Sequence, residues 1–257
     1  MSRAEGNNEF RPADSTWVVL PTYDEAGNLE EIVTEISTQL GEGDRILVVD
    51  DDSPDGTGQI ADRLAGESPI VEVLHRPTKA GLGAAYVAGF DRALGQGASL
   101  VVQMDADFSH DPADLPAMFE AVRDADLVLG SRYVAGGGVT DWGAYRRLLS
   151  RGGNLYSRTV LGLPQRDLTG GFKCWRAGAL EAVDYRSVSA SGYAFQVEMT
   201  YRAVEAGLKV VEVPIVFKER TRGESKMSGA IVLEGIVGVP ALRFGSGGRP
   251  RRSPRAG

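Results

Sequence analysis

Residues 101–107 read Val101-Val102-Gln103-Met104-Asp105-Ala106-Asp107, and this stretch decides how the whole chain is interpreted. An apolar run that ends in Asp-x-Asp predicts a buried strand whose carboxyl end carries two carboxylates into a crevice. Carboxylates in that position are able to share a hard divalent cation, which in turn holds a diphosphate. A second acidic cluster, residues 50–52, follows another apolar run at residues 46–49. Two strands with acidic ends indicate a site for a nucleoside diphosphate.

The chain from residue 16 to residue 132 alternates between strand-like and helix-like patterns. The predicted strands are residues 17–20, 45–49, 70–74, 100–104 and 126–129, and the predicted helices are residues 26–40, 56–65, 81–94 and 111–122. Short apolar runs of this kind are typical of a parallel sheet that is covered on both faces. We therefore expect an α/β fold with a Rossmann-like, doubly wound, mostly parallel sheet, helices on both faces, and a site at the carboxyl ends of the strands.

Length and composition restrict the possible classes of protein. At 257 residues the chain suits one large α/β domain, which we place at residues 16–244, between a disordered N-terminus at 1–15 and a disordered basic tail at 245–257. The formal net charge of −7 argues against a nucleic acid as the main partner. The first residues lack the apolar core of a signal peptide, and no apolar run reaches the roughly 20 residues of a membrane span.

Residues 142–166 are an anomaly in this acidic chain, because they contain five arginines and no acidic residue. Apolar residues are interleaved with the arginines, so the segment predicts a basic amphipathic helix. Two interpretations remain open: a helix packed on the sheet with a solvated basic face, or a surface that meets anionic lipid head groups or a lipid phosphate. Residues 230–244 form a second amphipathic run. On the second interpretation, both segments form membrane-facing helices.

Five motifs occur in one order and carry a family resemblance. They are Pro-Thr-Tyr-Asp-Glu at 21–25, Val-Val-Asp-Asp-Asp-Ser at 48–53, Asp-Ala-Asp at 105–107, Gly-Ser-Arg-Tyr at 130–133 and Arg-Thr-Arg-Gly-Glu-Ser-Lys at 220–226. Together they resemble the family 2 glycosyltransferases of the GT-A type, and among these the polyprenyl-phosphate (dolichol-phosphate) mannose synthases. The resemblance covers residues 16–229. It implies an enzyme that transfers mannose from GDP-mannose to a polyprenyl phosphate with inversion, giving a polyprenyl β-phosphomannose.

The resemblance also implies a donor-binding set. Its members are Pro21, Tyr23, Glu25, Val49, Asp51, Asp105, Ala106, Asp107, Arg132, Gln196, Arg220 and Lys226. An aromatic ring and a carboxylate at the end of the first strand suit a base and a ribose. The basic residues suit phosphate oxygens, since a guanidinium binds them bidentately and an ammonium adds a compact charge.

Catalytic and metal-binding roles are implied for a smaller group. Asp107, Arg132, Arg220 and Lys226 are the implied catalytic residues. Asp105 and Asp107 are the implied ligands of Mg²⁺ or Mn²⁺, which neutralises the charge on the departing diphosphate. Some relatives carry a glutamine two residues after the second aspartate, as a further metal contact, and here that position is Ser109. Either the Ser109 hydroxyl is a third metal ligand, or a water molecule occupies that coordination position.

The acceptor explains why no obvious His/Asp base pair is present. A polyprenyl phosphate is already an anion at neutral pH and needs no strong general base. The expected mechanism is a direct in-line displacement, in which the protein aligns the acceptor oxygen and stabilises the leaving diphosphate.

The expected location is the cytoplasmic face of a membrane, reached through peripheral contact with anionic lipid or through a membrane-bound partner protein. Two alternatives remain open for the function. One is transfer of glucose from UDP-glucose to a polyprenyl phosphate, and the other is a non-catalytic protein that binds nucleotide sugars.

Overall fold

The computed structural model of the chain describes residues 15–188, 190, 192–219 and 238–244. The expected disordered ends, apart from residue 15, lie outside the described residues. So do residues 230–237 of the second amphipathic run. Arg220 and Lys226, two of the implied catalytic residues, also lie outside them.

The described residues form nine strands, seven α-helices with both ends described, and a further helical segment at residues 238–244. The strands are β1 Thr16–Thr22, β2 Arg45–Asp50, β3 Val71–His75, β4 Leu100–Gln103, β5 Leu127–Ser131, β6 Gly138–Val139, β7 Lys173–Arg176, β8 Val210–Pro214 and β9 Val216–Phe217. The helices are α1 Leu29–Ser37, α2 Thr57–Glu67, α3 Leu82–Gly95, α4 Leu115–Ala121, α5 Ala144–Leu161, α6 Ala177–Ala182 and α7 Gly192–Glu205. Short 3₁₀ turns lie at Pro112–Asp114, Val122–Asp124 and Tyr185–Ser187.

Seven strands form one sheet in the order β3-β2-β1-β4-β7-β5-β8, while β6 pairs with β9. The neighbours β3-β2-β1-β4 and β5-β8 are parallel. Only β7 runs antiparallel in this sheet, between β4 and β5. The predicted mostly parallel α/β fold is confirmed. The sequence did not predict β7, because a four-residue strand with a basic residue at each end lacks the pattern of a buried strand.

The topology creates a crevice between β1 and β4. From β1 the chain moves through β2 to β3 at one edge, and it then returns to place β4 on the other side of β1. At such a reversal the connections leave the two carboxyl ends in opposite directions, and the gap between them is the usual ligand site of a doubly wound sheet. The Asp105–Asp107 pair follows β4 at this position.

Helices cover both faces of the sheet. On one face, α1, α2 and α4 contribute to a core that includes Ile32, Leu64 and Met118. On the other face, α3, α6 and α7 contribute to a second core that includes Phe90 and Met199. A smaller cluster joins the end of α5, α7 and residues 238–244. Within the described ranges, no helix has both the length and the apolar composition to cross a bilayer.

Helix α3 approaches the sheet closely at Gly89. A Cβ atom at this position would lie 2.4 Å from Val19 Cγ1 and 3.3 Å from Val49 Cγ2, on two neighbouring strands. Real Cβ atoms do not tolerate the first distance, so the glycine allows the helix to rest on β1.

We expect Gly89→Ala to lower the free energy of unfolding by about 1–3 kcal/mol, because the added methyl group overpacks the core. Gly95→Ala, at the end of the same helix with nothing within 4 Å of its Cβ position, is the matched control. It should change stability little or raise it by up to about 1 kcal/mol through helix propensity. Urea denaturation of both variants measures the difference, and equal effects would contradict the close contact.

Candidate active site

A cavity of about 350 Å³ occupies the crevice between the ends of β1 and β4. We call it the donor cavity, after the donor-binding residues expected there. The members of that set which line it are Pro21, Tyr23, Glu25, Asp51, Asp105, Ala106, Asp107 and Gln196. Residues from β1 to α7 therefore meet in one site, as the motif order predicts.

The end of the cavity near β2 is built around Asp51. The Asp51 carboxylate accepts hydrogen bonds from Arg76 and, at 3.4 Å, from the backbone N–H of Ala80. Beside it, Lys79 Nζ lies 3.4 Å from the centre of the Tyr23 ring. The sequence analysis missed Arg76 and Lys79, because isolated basic residues in a loop carry no local signal. This end combines an aromatic face, an ammonium and a carboxylate, a set that suits a nucleoside.

The Asp-x-Asp pair is held in place by its neighbours. The Asp105 backbone N–H donates to His110 Nδ1 at 3.1 Å, and Asp105 Oδ1 accepts from the Tyr86 hydroxyl at 3.3 Å. Asp107 Oδ1 accepts from the backbone N–H of Ser109 at 3.0 Å. These bonds fix the turn after β4, so both carboxylates are oriented without a ligand.

His110 acts as a structural support of this turn. It is buried and its ring stacks on Phe172, with 5.0 Å between ring centres. Burial lowers the pKa of His110, although Asp105 and Asp107 oppose this shift. Since Nδ1 accepts the Asp105 N–H, we assign His110 as neutral with its proton on Nε2.

The donor set fits a divalent cation. Asp105 and Asp107 both line the donor cavity, and carboxylate oxygens are the ligands that Mg²⁺ and Mn²⁺ prefer. Ser109 is buried behind Asp107, and its Oγ has no hydrogen-bond partner among the described residues, so a cation or its bound water would satisfy it. The described chain contains no group of three or more His, Cys, Asp or Glu side chains able to hold a metal. Further ligands would therefore come from substrate and water.

Arg132 does not line the donor cavity. Its Nε and Nη2 donate to the two Asp167 carboxylate oxygens, both at 2.7 Å, and Nη2 also donates to Thr169 Oγ1 at 2.8 Å. Both charged side chains are buried. Burial opposes the two charges, but the pairing keeps the pKa of Arg132 above and that of Asp167 below its ordinary value. The guanidinium expected to face a diphosphate is thus largely occupied by an internal carboxylate.

A second cavity, of about 580 Å³, lies on the other side of Arg132. We call it the arginine cavity, because four arginines and no acidic residue line it: Arg132, Arg151, Arg158 and Arg166. Within the described part of the chain, the side chains of Arg151, Arg158 and Arg166 have no ion-pair partner, and Arg158 Nε is buried without a hydrogen bond. The cavity is therefore strongly cationic in a chain of net negative charge.

One hydrogen-bonded wall separates the two cavities. Thr169 lines the donor cavity, while Asn154 and Arg132 line the arginine cavity. Thr169 Oγ1 accepts from Arg132 Nη2 and, at 3.0 Å, from Asn154 Nδ2. The two cavities thus lie back to back across the hydrogen-bonded group of Thr169, Arg132 and Asn154.

The remaining predicted residues lie elsewhere. Val49 is fully buried in the core beneath the crevice, where its carbonyl accepts from Thr22 Oγ1 at 3.3 Å. Ser109 is buried rather than part of the cavity lining. Arg220 and Lys226 lie outside the described residues, so their implied roles stay predictions.

Lys173 is a fully buried lysine under this site that the sequence analysis missed. Its Nζ donates to the Gln196 carbonyl at 2.6 Å and to Thr200 Oγ1 at 2.9 Å. Burial lowers the pKa of Lys173 to about 7, and Asp167 only partly opposes this shift. The lysine therefore ties β7 to the middle of α7.

We expect a pH dependence of stability from Lys173. An unfolded lysine keeps its proton up to about pH 10.5. Above about pH 7 the unfolded chain thus binds one more proton than the folded chain, and stability rises with pH in this window. Lys173→Met should remove that contribution. Melting temperatures of both proteins between pH 6 and pH 9 check it, and parallel curves would contradict it.

A doubly wound sheet with an Asp-x-Asp pair at its switch point is the arrangement of a GT-A glycosyltransferase. Comparison with family models agrees, because the model described as glycosyl transferase family 2 matches residues 17–184. The chain belongs to glycosyl transferase family 2, as its motifs predicted, and it is a glycosyltransferase.

Two relatives are similar along most of their length. The undecaprenyl-phosphate mannosyltransferase of Micrococcus luteus is 50% identical over 221 residues, which cover 86% of this chain and 90% of the relative. The polyprenol monophosphomannose synthase of Mycolicibacterium smegmatis is 49% identical over 231 residues, which cover 89% and 87% respectively.

Solved structures share the fold at lower identity. The glucosyl-3-phosphoglycerate synthase of Mycobacterium tuberculosis, in complex with Mn²⁺, uridine diphosphate and phosphoglyceric acid, superposes with a TM-score of 0.67 at 19% identity. The match covers 93% of this chain and 81% of that one.

Proposed function

We propose that this glycosyltransferase transfers mannose from GDP-mannose to a polyprenyl phosphate. The observation that carries the proposal is the pair of back-to-back cavities, one with the Asp-x-Asp pair and one lined by four arginines. A reaction between a nucleotide sugar and a phosphate-bearing lipid needs two adjoining sites of these kinds. The names of the two similar relatives supply the sugar and the class of acceptor.

The donor cavity supports the first half of the reaction. Tyr23, Lys79 and Asp51 form the end that suits the nucleoside, and the diphosphate then lies at Asp105 and Asp107. Mg²⁺ or Mn²⁺ bound by these carboxylates supplies charge neutralisation for the departing diphosphate. A solved structure of the same fold holds Mn²⁺ and a nucleoside diphosphate, which supports this assignment.

The arginine cavity supports the second half. A phosphate monoester bound by Arg151, Arg158 and Arg166 keeps its negative charge, so it attacks without a general base. In a direct in-line displacement with inversion, an acceptor phosphate oxygen forms the new bond to the anomeric carbon as the bond to the GDP diphosphate breaks, so the acceptor phosphate must reach the sugar past the edge of the shared wall. Arg132 contributes structurally, because its ion pair with Asp167 and its hydrogen bond to Thr169 hold the wall beside which the reactants meet.

Helix α5 provides a surface for the lipid chain. Tyr145, Leu148 and Leu155 are 79%, 72% and 63% exposed, and Leu155 also lines the arginine cavity. Exposed apolar side chains beside arginines are typical of a helix that lies in the membrane interface. The protein in this proposal binds peripherally to the anionic cytoplasmic face of a membrane, either alone or with a membrane-bound partner protein.

A transfer assay tests the proposed reaction. Purified protein with labelled GDP-mannose, polyprenyl phosphate and Mn²⁺ should produce label that is extractable into organic solvent. EDTA and Asp107→Ala should each lower the rate at least about 100-fold, since both remove the metal-assisted departure of the diphosphate. Asp124→Ala, at an exposed aspartate that lines neither cavity, is the matched control. If label is transferred only from UDP-glucose, the proposed GDP-mannose donor is wrong and the transferred sugar is glucose.

The double variant Arg151→Gln and Arg158→Gln tests the acceptor site. We expect the KM for polyprenyl phosphate to rise about 10–100-fold, because two charge-assisted hydrogen bonds are lost, while the Kd for GDP stays unchanged. Arg147→Gln on the same helix, outside the cavity lining, is the control for general charge effects. An equal rise in the control would mean that the cavity has no specific role.

A further inference from the structure

Three buried polar side chains form a connected row beneath the donor cavity. Gln103 ends β4, Trp175 lies on β7, and Gln196 lies on α7. They are 0%, 0% and 2% exposed respectively. Only Gln196 reaches the lining of the cavity. We call these residues the amide relay.

The tryptophan sets the direction of every hydrogen bond in the amide relay. Trp175 Nε1 donates to Gln103 Oε1 at 2.7 Å, and an indole nitrogen is able only to donate. The other end of the Gln103 amide is therefore its Nε2, which donates to Gln196 Oε1 at 3.4 Å. Both amide orientations follow from this chain of donors, whereas an isolated glutamine leaves the choice open.

The relay leaves one donor at its end. Gln196 Nε2 is buried and has no hydrogen-bond partner in the described part of the chain. Lys173 holds the Gln196 carbonyl, so the residue is anchored at the backbone as well as through its side-chain oxygen. A buried N–H group without a partner is unfavourable, and a ligand oxygen at this wall would satisfy it.

The order of the strands identifies which part of the donor lies near Gln196. Along the sheet, Asp51 follows β2, Tyr23 follows β1 and Asp105 follows β4. Gln196 lies over β4 and the next strand, β7, because its side chain bonds to Gln103 and its carbonyl to Lys173. With the nucleoside at β2 and β1 and the diphosphate at β4, the next position along the cavity belongs to the sugar. A neutral amide also suits a hydroxyl group better than it suits a phosphate.

We infer that Gln196 recognises the sugar by donating a hydrogen bond from Nε2 to one hydroxyl oxygen of the transferred hexose. Gln103 and Trp175 are positioning residues, which keep the Gln196 amide from inverting. This inference rests on the proposed function for the identity of the donor. It adds a specificity-determining contact and the two buried residues that orient it.

Binding measurements without acceptor test the contact at Gln196. The ligands are GDP, GDP-mannose and a series of GDP-deoxymannoses that each lack one hydroxyl, all with Mn²⁺. Wild-type protein should bind one deoxy donor about tenfold more weakly than GDP-mannose, the usual effect of one neutral hydrogen bond. Gln196→Met should lose that difference for the same deoxy donor and should bind GDP with unchanged affinity.

The positioning role of Trp175 and Gln103 is tested by the same comparison of GDP-mannose with the deoxy donor. Trp175→Phe keeps an aromatic side chain, though a smaller one, and removes the N–H donor, so the two glutamine amides are free to invert. We expect discrimination against that deoxy donor to fall about threefold, with unchanged GDP affinity. Gln103→Met, which removes the middle of the relay at similar volume, should act in the same way. Trp17→Phe is the control, because Trp17 lies in the same core but donates to Ser15.

Three results would overturn the inference. Equal weakening of GDP and GDP-mannose by Gln196→Met would place the contact on the nucleotide. Unchanged discrimination in Gln196→Met would mean that no sugar hydroxyl is bound there, and full discrimination in both relay variants would remove the positioning role. If wild-type protein binds UDP-glucose but not GDP-mannose, the proposed donor is wrong. Gln196 would then be tested with UDP-deoxyglucoses in place of GDP-deoxymannoses.

Discussion

Both cavities depend on the buried ion pair between Arg132 and Asp167. Arg132 follows β5 and Asp167 precedes β7, so the pair ties together two loops that are distant in sequence. Breaking such a pair by removing one partner typically costs about 3–5 kcal/mol, because the other charge is left buried. The backbone N–H of Asp167 in turn donates to Glu212 at 3.0 Å. The partition between the cavities is therefore a rigid polar network, and Thr169 is held at its centre.

Local sequence patterns were enough to predict the frame of the site. The apolar runs that became β1, β2 and β4 each lead into a motif that lines the donor cavity, because parallel strands bring their carboxyl ends to one edge. The Asp-x-Asp pair was recognisable for the same reason. Its supports were not, since Tyr86 comes from the middle of α3 and His110 looks like any loop histidine.

Long-range contacts account for what the sequence did not predict. The motif around Arg132 indicated a phosphate ligand, but the carboxylate that occupies its guanidinium lies 35 positions away and carries no recognisable motif. The arginines of α5 were noticed as a basic segment, whereas their convergence on one cavity depends on how the helix packs. Strand β7 was missed because its polar residues are buried by partners on β4 and α7. Arg220 and Lys226 remain predictions, since they lie outside the described residues.

The antiparallel direction of β7 has a consequence for how the chain tolerates change. Because this strand runs opposite to its neighbours, its amino end meets the crevice. The ten residues from Asp167 to Arg176 supply one partner of the ion pair, Thr169 and the buried Trp175 in succession. A slip of one residue in its pairing would move Lys173 and Trp175 into the opposite core and bring Cys174 into their layer. Insertions or deletions in this segment would then disturb the sheet and the walls of both cavities together, whereas a change of length in a surface loop leaves the sheet intact.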